Sequence, residues 1–387
     1  MKVSFCTGWD VERDGISDYS KHLVNELKKN NNMDIQIVKL VNNIGQKDFY
    51  RELADKANQA EVCHVQFNYV YFNGELPYRN RLLYFEKYLK IPLVITAHEV
   101  RLRHSLITEA GYSRIKRIVF NKTLFLWNSW SRIYHKSIYN KADKIIAHTK
   151  AQAELIRPLL NNPDRLMVLP HGIPMISPEL RNIPASRVKS GLGLEGKIIL
   201  TIFGFINKKK GYELVMDILS ELPDNVILLI AGGAMTENTV DKEYYNSLAK
   251  EISARGLDNK IRITGYLKED DVADIMAATD ICLAPFLSGS GSGALSLCLG
   301  YHKAIIASDI PVIQEINNQI PCLELFRYPD AQDLLKKIKG LINNPGRINE
   351  LSISARQYCQ RFSYAVIATE TIKIYEYALA DYRRHIN

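Results

Sequence analysis

Short apolar runs of strand length alternate with stretches of helical periodicity along this chain; the alternation stops once, at a cluster of prolines, and then starts again. Residues 2–7, 35–40, 62–67, 93–97, 144–148 and 166–169 read as strands, and 17–29 and 151–160 as helices. Strands that are apolar on both faces, with helical spacing between them, predict a parallel sheet, because parallel neighbours need a crossover and its helix covers a face. After the Pro170-His171-Gly172-Ile173-Pro174 turn, with Pro178 and Pro184 following, strand-like runs resume at 198–203, 226–231, 261–264, 281–284 and 304–307. A chain of 387 residues exceeds what one core of roughly 250–300 residues holds. The expected fold is therefore α/β, with two doubly wound Rossmann-like domains, 1–172 and 173–362. A helix over 363–387 follows the last strand, and its packing back on the first domain is an expectation of resemblance only. Parallel sheets bind ligands beyond the carboxyl ends of their strands, so two such domains facing across a cleft suit a transfer between two substrates. They suit a dehydrogenase or a binding protein equally, and the motifs have to decide.

Composition narrows the setting. No apolar run reaches the roughly 18–20 residues that span a bilayer, and the first strand meets Gly8 and Trp9 too soon for the core of a secretory leader. A cytoplasmic protein is expected. Its six cysteines are scattered without a CxxC pair, which predicts buried thiols rather than disulfides or a zinc site. A formal net charge of +8 suits an anionic partner.

Two segments carry chemistry. The run Gly204-Phe205-Ile206-Asn207-Lys208-Lys209-Lys210-Gly211 joins a strand end to a helix start, and lysines beside a helix amino terminus fit a diphosphate. Its bland reading is a solvated basic loop. The second run, Ser288-Gly289-Ser290-Gly291-Ser292-Gly293-Ala294, also lies between a strand and an apolar helix; glycines there admit a ligand close to the backbone, and hydroxyls and amides supply donors. Neither run is a GxGxxG fingerprint or a P-loop, which argues against a nicotinamide dehydrogenase and a P-loop NTPase.

With these segments in view, the chain resembles glycosyltransferase family four, enzymes of the GT-B fold, over nearly its whole length. The resemblance rests on the spacing of Gly204 to Gly211 with Lys210, on Thr264-Gly265-Tyr266, on Ala278-Thr279-Asp280 before a strand ending at Pro285, and on His171-Gly172 at the domain junction. It implies a nucleotide-sugar donor held by Phe205, Asn207, Gly265, Tyr266, Leu267, Ser290, Gly291, Ser292, Gly293 and Ala294, with Gly15, Ile16 and Ser17 as a glycine loop of the first domain. It places His98 beside the donor sugar at the reacting carbon, and implies retention of anomeric configuration. Two departures stand out. The family's arginine after the first glycine is Phe205, and its two glutamates, with seven residues between them, align with Gly289 and Leu297.

Fixed donors aimed at the charge developing on the diphosphate are the expected source of acceleration, and Lys210, Lys208 and the amides near 291–294 are the candidates. No metal or other cofactor is expected, since ammonium groups can neutralise the leaving group. The acceptor is read as a saccharide or lipid-linked saccharide. Residues 101–141 gather basic side chains with Phe125, Trp127, Trp130 and Tyr134, which suits an anionic membrane surface; a solvated basic face over core aromatics is the competing reading. No RNA-binding motif accompanies this stretch, so nucleic acid is not an expected partner. Two other functions remain open: a nucleotide-sugar epimerase of the same fold, and a nucleotide-sugar-binding protein impaired in catalysis.

Overall fold

The computed structural model describes all residues except 10–13, 43, 75–78, 101, 103–117, 119–120, 235–238, 288–292 and 387. The chain divides into two compact units: Met1–Pro170 with Ala365–Asn387, and His171–Tyr364.

In the first unit, β1 (Lys2–Thr7), β2 (Asp34–Lys39), β3 (Val62–Phe67), β4 (Leu93–Ala97), β5 (Lys144–Ala147) and β6 (Leu166–Val168) form one parallel sheet in the order β2-β1-β3-β4-β5-β6. In the second, β7 (Ile198–Phe203), β8 (Val226–Ala231), β9 (Ile261–Ile263), β10 (Ile281–Ala284), β11 (Ala304–Ser308) and β12 (Glu324–Phe326) are again parallel, in the order β12-β11-β10-β7-β8-β9. Every residue of β3 and β8 is buried, as a strand covered by helices on both faces requires. Sequence periodicity misses β12. It has three residues, begins with Glu324, which pairs with Lys337 and Arg347, and lies at the sheet edge.

The order of each sheet decides where a ligand can sit. Strand order reverses between β1 and β3 in the first unit and between β7 and β10 in the second, and crevices open at such points. The two loops singled out in the second half follow β7 and β10, so they flank its reversal.

The terminal helix Tyr364–Ile386 completes the first unit. It buries Ile367, Thr371, Ile374, Tyr375 and Ala378, one face at helical spacing, and Asp381 pairs with Lys144 at 2.8 Å. Where the chain enters and leaves the second unit, Ile173 and Ser363 form a parallel bridge. All six cysteines are buried thiols. Among the described residues, no helix is long and apolar enough to cross a membrane.

Candidate active site

In the second unit β7 ends at Phe203, and Gly204 turns the chain with φ 107°. The three lysines precede the α-helix, as the sequence reading expects. Lys208–Lys210 form one 3-10 turn, capped by the Asn207 carboxamide, which accepts from Lys209 N at 3.0 Å; the α-helix starts after Gly211 and runs only over Tyr212–Met216. Charge therefore matters more here than the dipole of so short a helix. Lys208 and Lys209 are exposed, whereas Lys210 folds inward. Its Nζ donates to Phe203 O at 3.1 Å and stands 4.3 Å from the centre of the Phe286 ring. Burial lowers its pKa to about 8, and among the described residues no carboxylate pairs with it. A desolvated cation with a carbonyl and a ring for company gains most from an incoming anion.

The two loops meet. Leu287 N, in the loop after β10, donates to Lys209 O at 2.9 Å. A Cβ placed on Gly204 would lie 3.0 Å from the Ala294 Cβ and 3.1 Å from Lys210 Nζ, so Gly204, Lys210 and the first turn of the helix Gly293–Gly300 border one spot. Ser290, Gly291 and Ser292 lie outside the described residues, as does Gly289. Leu297 is partly buried and packs on the apolar core, so no carboxylate stands where the second family glutamate would.

Across the end of β8, Gly265 takes φ 74° and presents Tyr266, 48% exposed, with its ring 6.4 Å from that of Phe205 and tilted by only 16°. Gly232 and Gly233 lie close under these loops: side chains there would meet Gly204 O at 2.1 Å and Tyr266 N at 2.8 Å. Phe205 thus offers an aromatic face where the family's arginine would offer charge. Leu267 packs into the core instead of lining the surface with Tyr266.

The first unit holds the other candidates. Gly15, Ile16 and Ser17 are not a loop but the first turn of the helix Gly15–Lys28, capped by Asp14, and Ser17 is fully buried. That burial removes its hydroxyl from any role at the surface. His98 follows β4 and is half-buried; its ring lies 5.1 Å from both Tyr19 and His148, and its Nε2 is 2.7 Å from Gln66 Oε1. His148, one residue past β5, donates its Nδ1–H to Leu169 O at 3.1 Å, and burial lowers its pKa to about 4. Beside it on β3, His64 is neutral for the same reason, its pKa lowered to about 3 by burial and then by the neighbouring His148. His64, Gln66, His148 and Tyr19 were all missed in the sequence. The signal was there in β3, whose Val-Cys-His-Val-Gln-Phe places two polar side chains two residues apart on a buried strand.

Residues 17–175 match the model of Glycosyltransferase Family 4, and residues 183–358 that of Glycosyl transferases group 1. The chain belongs to glycosyltransferase family four. Mannosylfructose-phosphate synthase of Agrobacterium fabrum is 28% identical over 202 residues, covering 50% of this chain and 43% of that protein. D-inositol 3-phosphate glycosyltransferase of Corynebacterium aurimucosum is 24% identical over 309 residues, 75% of this chain and 67% of that one. The chain spans about half the length of the first curated relatives it matches, 43% and 58%. Among solved structures, sucrose-phosphate synthase from Thermosynechococcus elongatus superposes with a TM-score of 0.73 at 16% identity, covering 98% of this chain and 99% of that one. Anabaena HepE in complex with UDP and glucose superposes with a TM-score of 0.70 at 15% identity, covering 96% and 98%. The fold is the GT-B fold of this family.

Of the stretch 101–141, Arg101, Arg103, Arg114, Lys116, Arg117 and Phe120 lie outside the described residues. The helix Leu124–Lys141 splits its aromatic residues: Tyr134 is buried in the core, whereas Phe125, Trp130 and Ile133 are 67%, 51% and 64% exposed. The core reading holds for Tyr134, and Tyr139 on the same helix is buried with it.

Proposed function

We propose that this family-four glycosyltransferase moves a hexosyl group from a nucleoside diphosphate donor, UDP in preference to GDP, to a saccharide or lipid-linked saccharide acceptor, with retention. The observation that carries the reading is the convergence of Gly204, Lys210 and the turn at Gly293 and Ala294 on one spot, with a part-buried ammonium group on its border. A diphosphate there receives a full positive charge in a water-poor setting, where electrostatic stabilisation of a leaving group is strongest. Lys208, exposed on the same turn, adds a second cation within reach of solvent. On this reading ammonium groups meet the charge that a divalent cation meets elsewhere. Phe205 and Tyr266 offer their faces to the base, with the backbone at Gly265 beside them, and His98 meets the sugar. The UDP and glucose bound in the HepE structure support the choice of nucleotide. A thermal-shift series with UDP, GDP, ADP and their sugars checks it: a ligand present at about a hundred times its dissociation constant stabilises by about 2.7 kcal/mol. Silence from every nucleotide would remove the reading.

A membrane-facing surface belongs to the same proposal, with the enzyme cytoplasmic and peripheral at the inner face. Phe125, Leu126, Trp130 and Ile133 are exposed on one side of the helix Leu124–Lys141, alongside exposed Lys122, Arg132 and Lys136. No acidic residue occurs between 118 and 142. Apolar side chains flanked by cations suit a layer of anionic lipid headgroups over acyl chains. Co-sedimentation with phosphatidylserine-containing vesicles is expected to fall at least about tenfold in Phe125→Ser/Ile133→Ser, two exposed apolar groups at about 1 kcal/mol or more each. Equal binding of the variant would show that the surface does not enter a bilayer.

A further inference from the structure

Parallel register puts four polar side chains of the first unit on one face of adjacent strands. Gln66 of β3 is level with Thr96 of β4, and His64 and His98 lie two residues to either side of that level, so alternation points all four the same way. Each of His64, Gln66 and Thr96 is fully buried, as is Tyr375 of the terminal helix. They touch in sequence: Tyr375 Oη lies 2.7 Å from His64 Nδ1, His64 Nε2 lies 2.7 Å from Thr96 Oγ1 and 3.1 Å from Gln66 Nε2, and Gln66 Oε1 lies 2.7 Å from His98 Nε2.

With the Gln66 carboxamide placed as it stands, Nε2 toward His64 and Oε1 toward His98, the chemistry of each group leaves one polarity. A carboxamide nitrogen only donates, so Gln66 Nε2–H points at His64 Nε2, which accepts. Burial keeps His64 neutral, so its one proton is on Nδ1 and is donated to Tyr375 Oη. The other end of the carboxamide, Oε1, only accepts, and His98 therefore carries its proton on Nε2. Turning the carboxamide over would reverse every bond in the row together. Intermediate states leave a buried donor facing a donor, which is costly.

We infer that Tyr375, His64 and Gln66 form a buried row of positioning residues that sets the tautomer and ring orientation of His98. Two neighbouring histidines are held in opposite tautomers, His64 as Nδ1–H and His98 as Nε2–H, and the last helix of the chain supplies the group at the far end. Its bearing on transfer rests on the reading of His98 as a residue that meets the sugar; the tautomer assignment does not.

Long-range proton–nitrogen correlation spectra of the ring-labelled full chain test it, with His98 and His64 assigned by His98→Asn and His64→Asn. The wild-type spectrum is expected to show a pyrrole-type Nε2 and pyridine-type Nδ1 for His98, and the reverse for His64. Tyr375→Phe, which keeps the ring and removes the hydroxyl, is expected to blur or invert the His98 pattern. In that variant kcat falls about tenfold while the donor KM stays within about twofold, the pattern of an interaction that matters in the transition state and not in donor binding. A pyridine-type Nε2 on His98 in the wild type overturns the inference, and so does a Tyr375→Phe protein with unchanged ring signals. The wild-type spectrum needs no variant to fold. If the tautomers are as assigned and His98→Ala keeps full transfer, the role of His98 in the reaction falls and the row stands.

Discussion

Lys210→Ala is expected to abolish nucleotide-dependent stabilisation and to lower kcat/KM by about 10²–10³, the loss that follows removal of one preorganised group at developing charge. The apo protein should not suffer: the change removes a cation that burial already disfavours. The same shift gives a pH signature. The folded pKa of about 8 lies below the ordinary 10.5, so at pH below about 8 both states hold the proton and the fold bears the whole cost of the buried charge. Between about 8 and 10.5 the folded protein has released the proton and the unfolded chain has not; that cost shrinks with rising pH and is gone above 10.5. Donor affinity runs the other way and weakens as pH rises through about 8, because the ammonium that meets the diphosphate is lost. Calorimetric titration with UDP between pH 7 and 9.5 should show proton uptake on binding in the upper half of that range. Lys210→Arg, charged throughout, should bind with a flat profile. A wild-type affinity that does not change over this interval would place the diphosphate away from Lys210.

Gly211→Ala should destabilise the second unit at its ligand side. The residue has φ 71°, and an added Cβ would lie 2.1 Å from Pro285 O, a backbone atom that cannot swing away. Left-handed backbone alone costs about 1–2 kcal/mol for a residue with a side chain, and separating the two loops adds to it. A total of about 3 kcal/mol or more corresponds to a fall in Tm of roughly 6–12 °C for a unit of this size. Gly196→Ala is the control: Gly196 has φ 68° but open space where the Cβ would go, so the same backbone strain appears without the collision. Equal Tm values for the two variants would mean that the Pro285 contact carries no energy.

Repetition of apolar runs made the two sheets legible because parallel strands buried on both faces need nothing but Val, Ile, Leu and Ala in a row, as in β8. The loops after β7 and β10 were legible for a different reason: glycine and lysine at a strand end have few structural explanations. What was not legible depends on contacts between distant residues. Nothing near Lys210 in sequence announces that it turns inward while Lys208 and Lys209 stay out; Phe286 and Phe203 O decide that. The resemblance made Gly15 to Ser17 a loop, yet Asp14 supplies a cap and the helix read from Ser17 begins two residues earlier. Gln66 and His64 read as minor interruptions of a strand until Tyr375, more than three hundred residues later, is found against them.

The first unit is made of two pieces of chain, and the piece that buries Tyr375 comes last. On the ribosome, residues up to Pro170 emerge without the helix that seats Tyr375 against His64, and all of the continuous second unit is made before that helix appears. The later half of the protein therefore has the chance to fold first. The earlier half waits for that helix, and His64 of β3 lacks its Tyr375 partner until then.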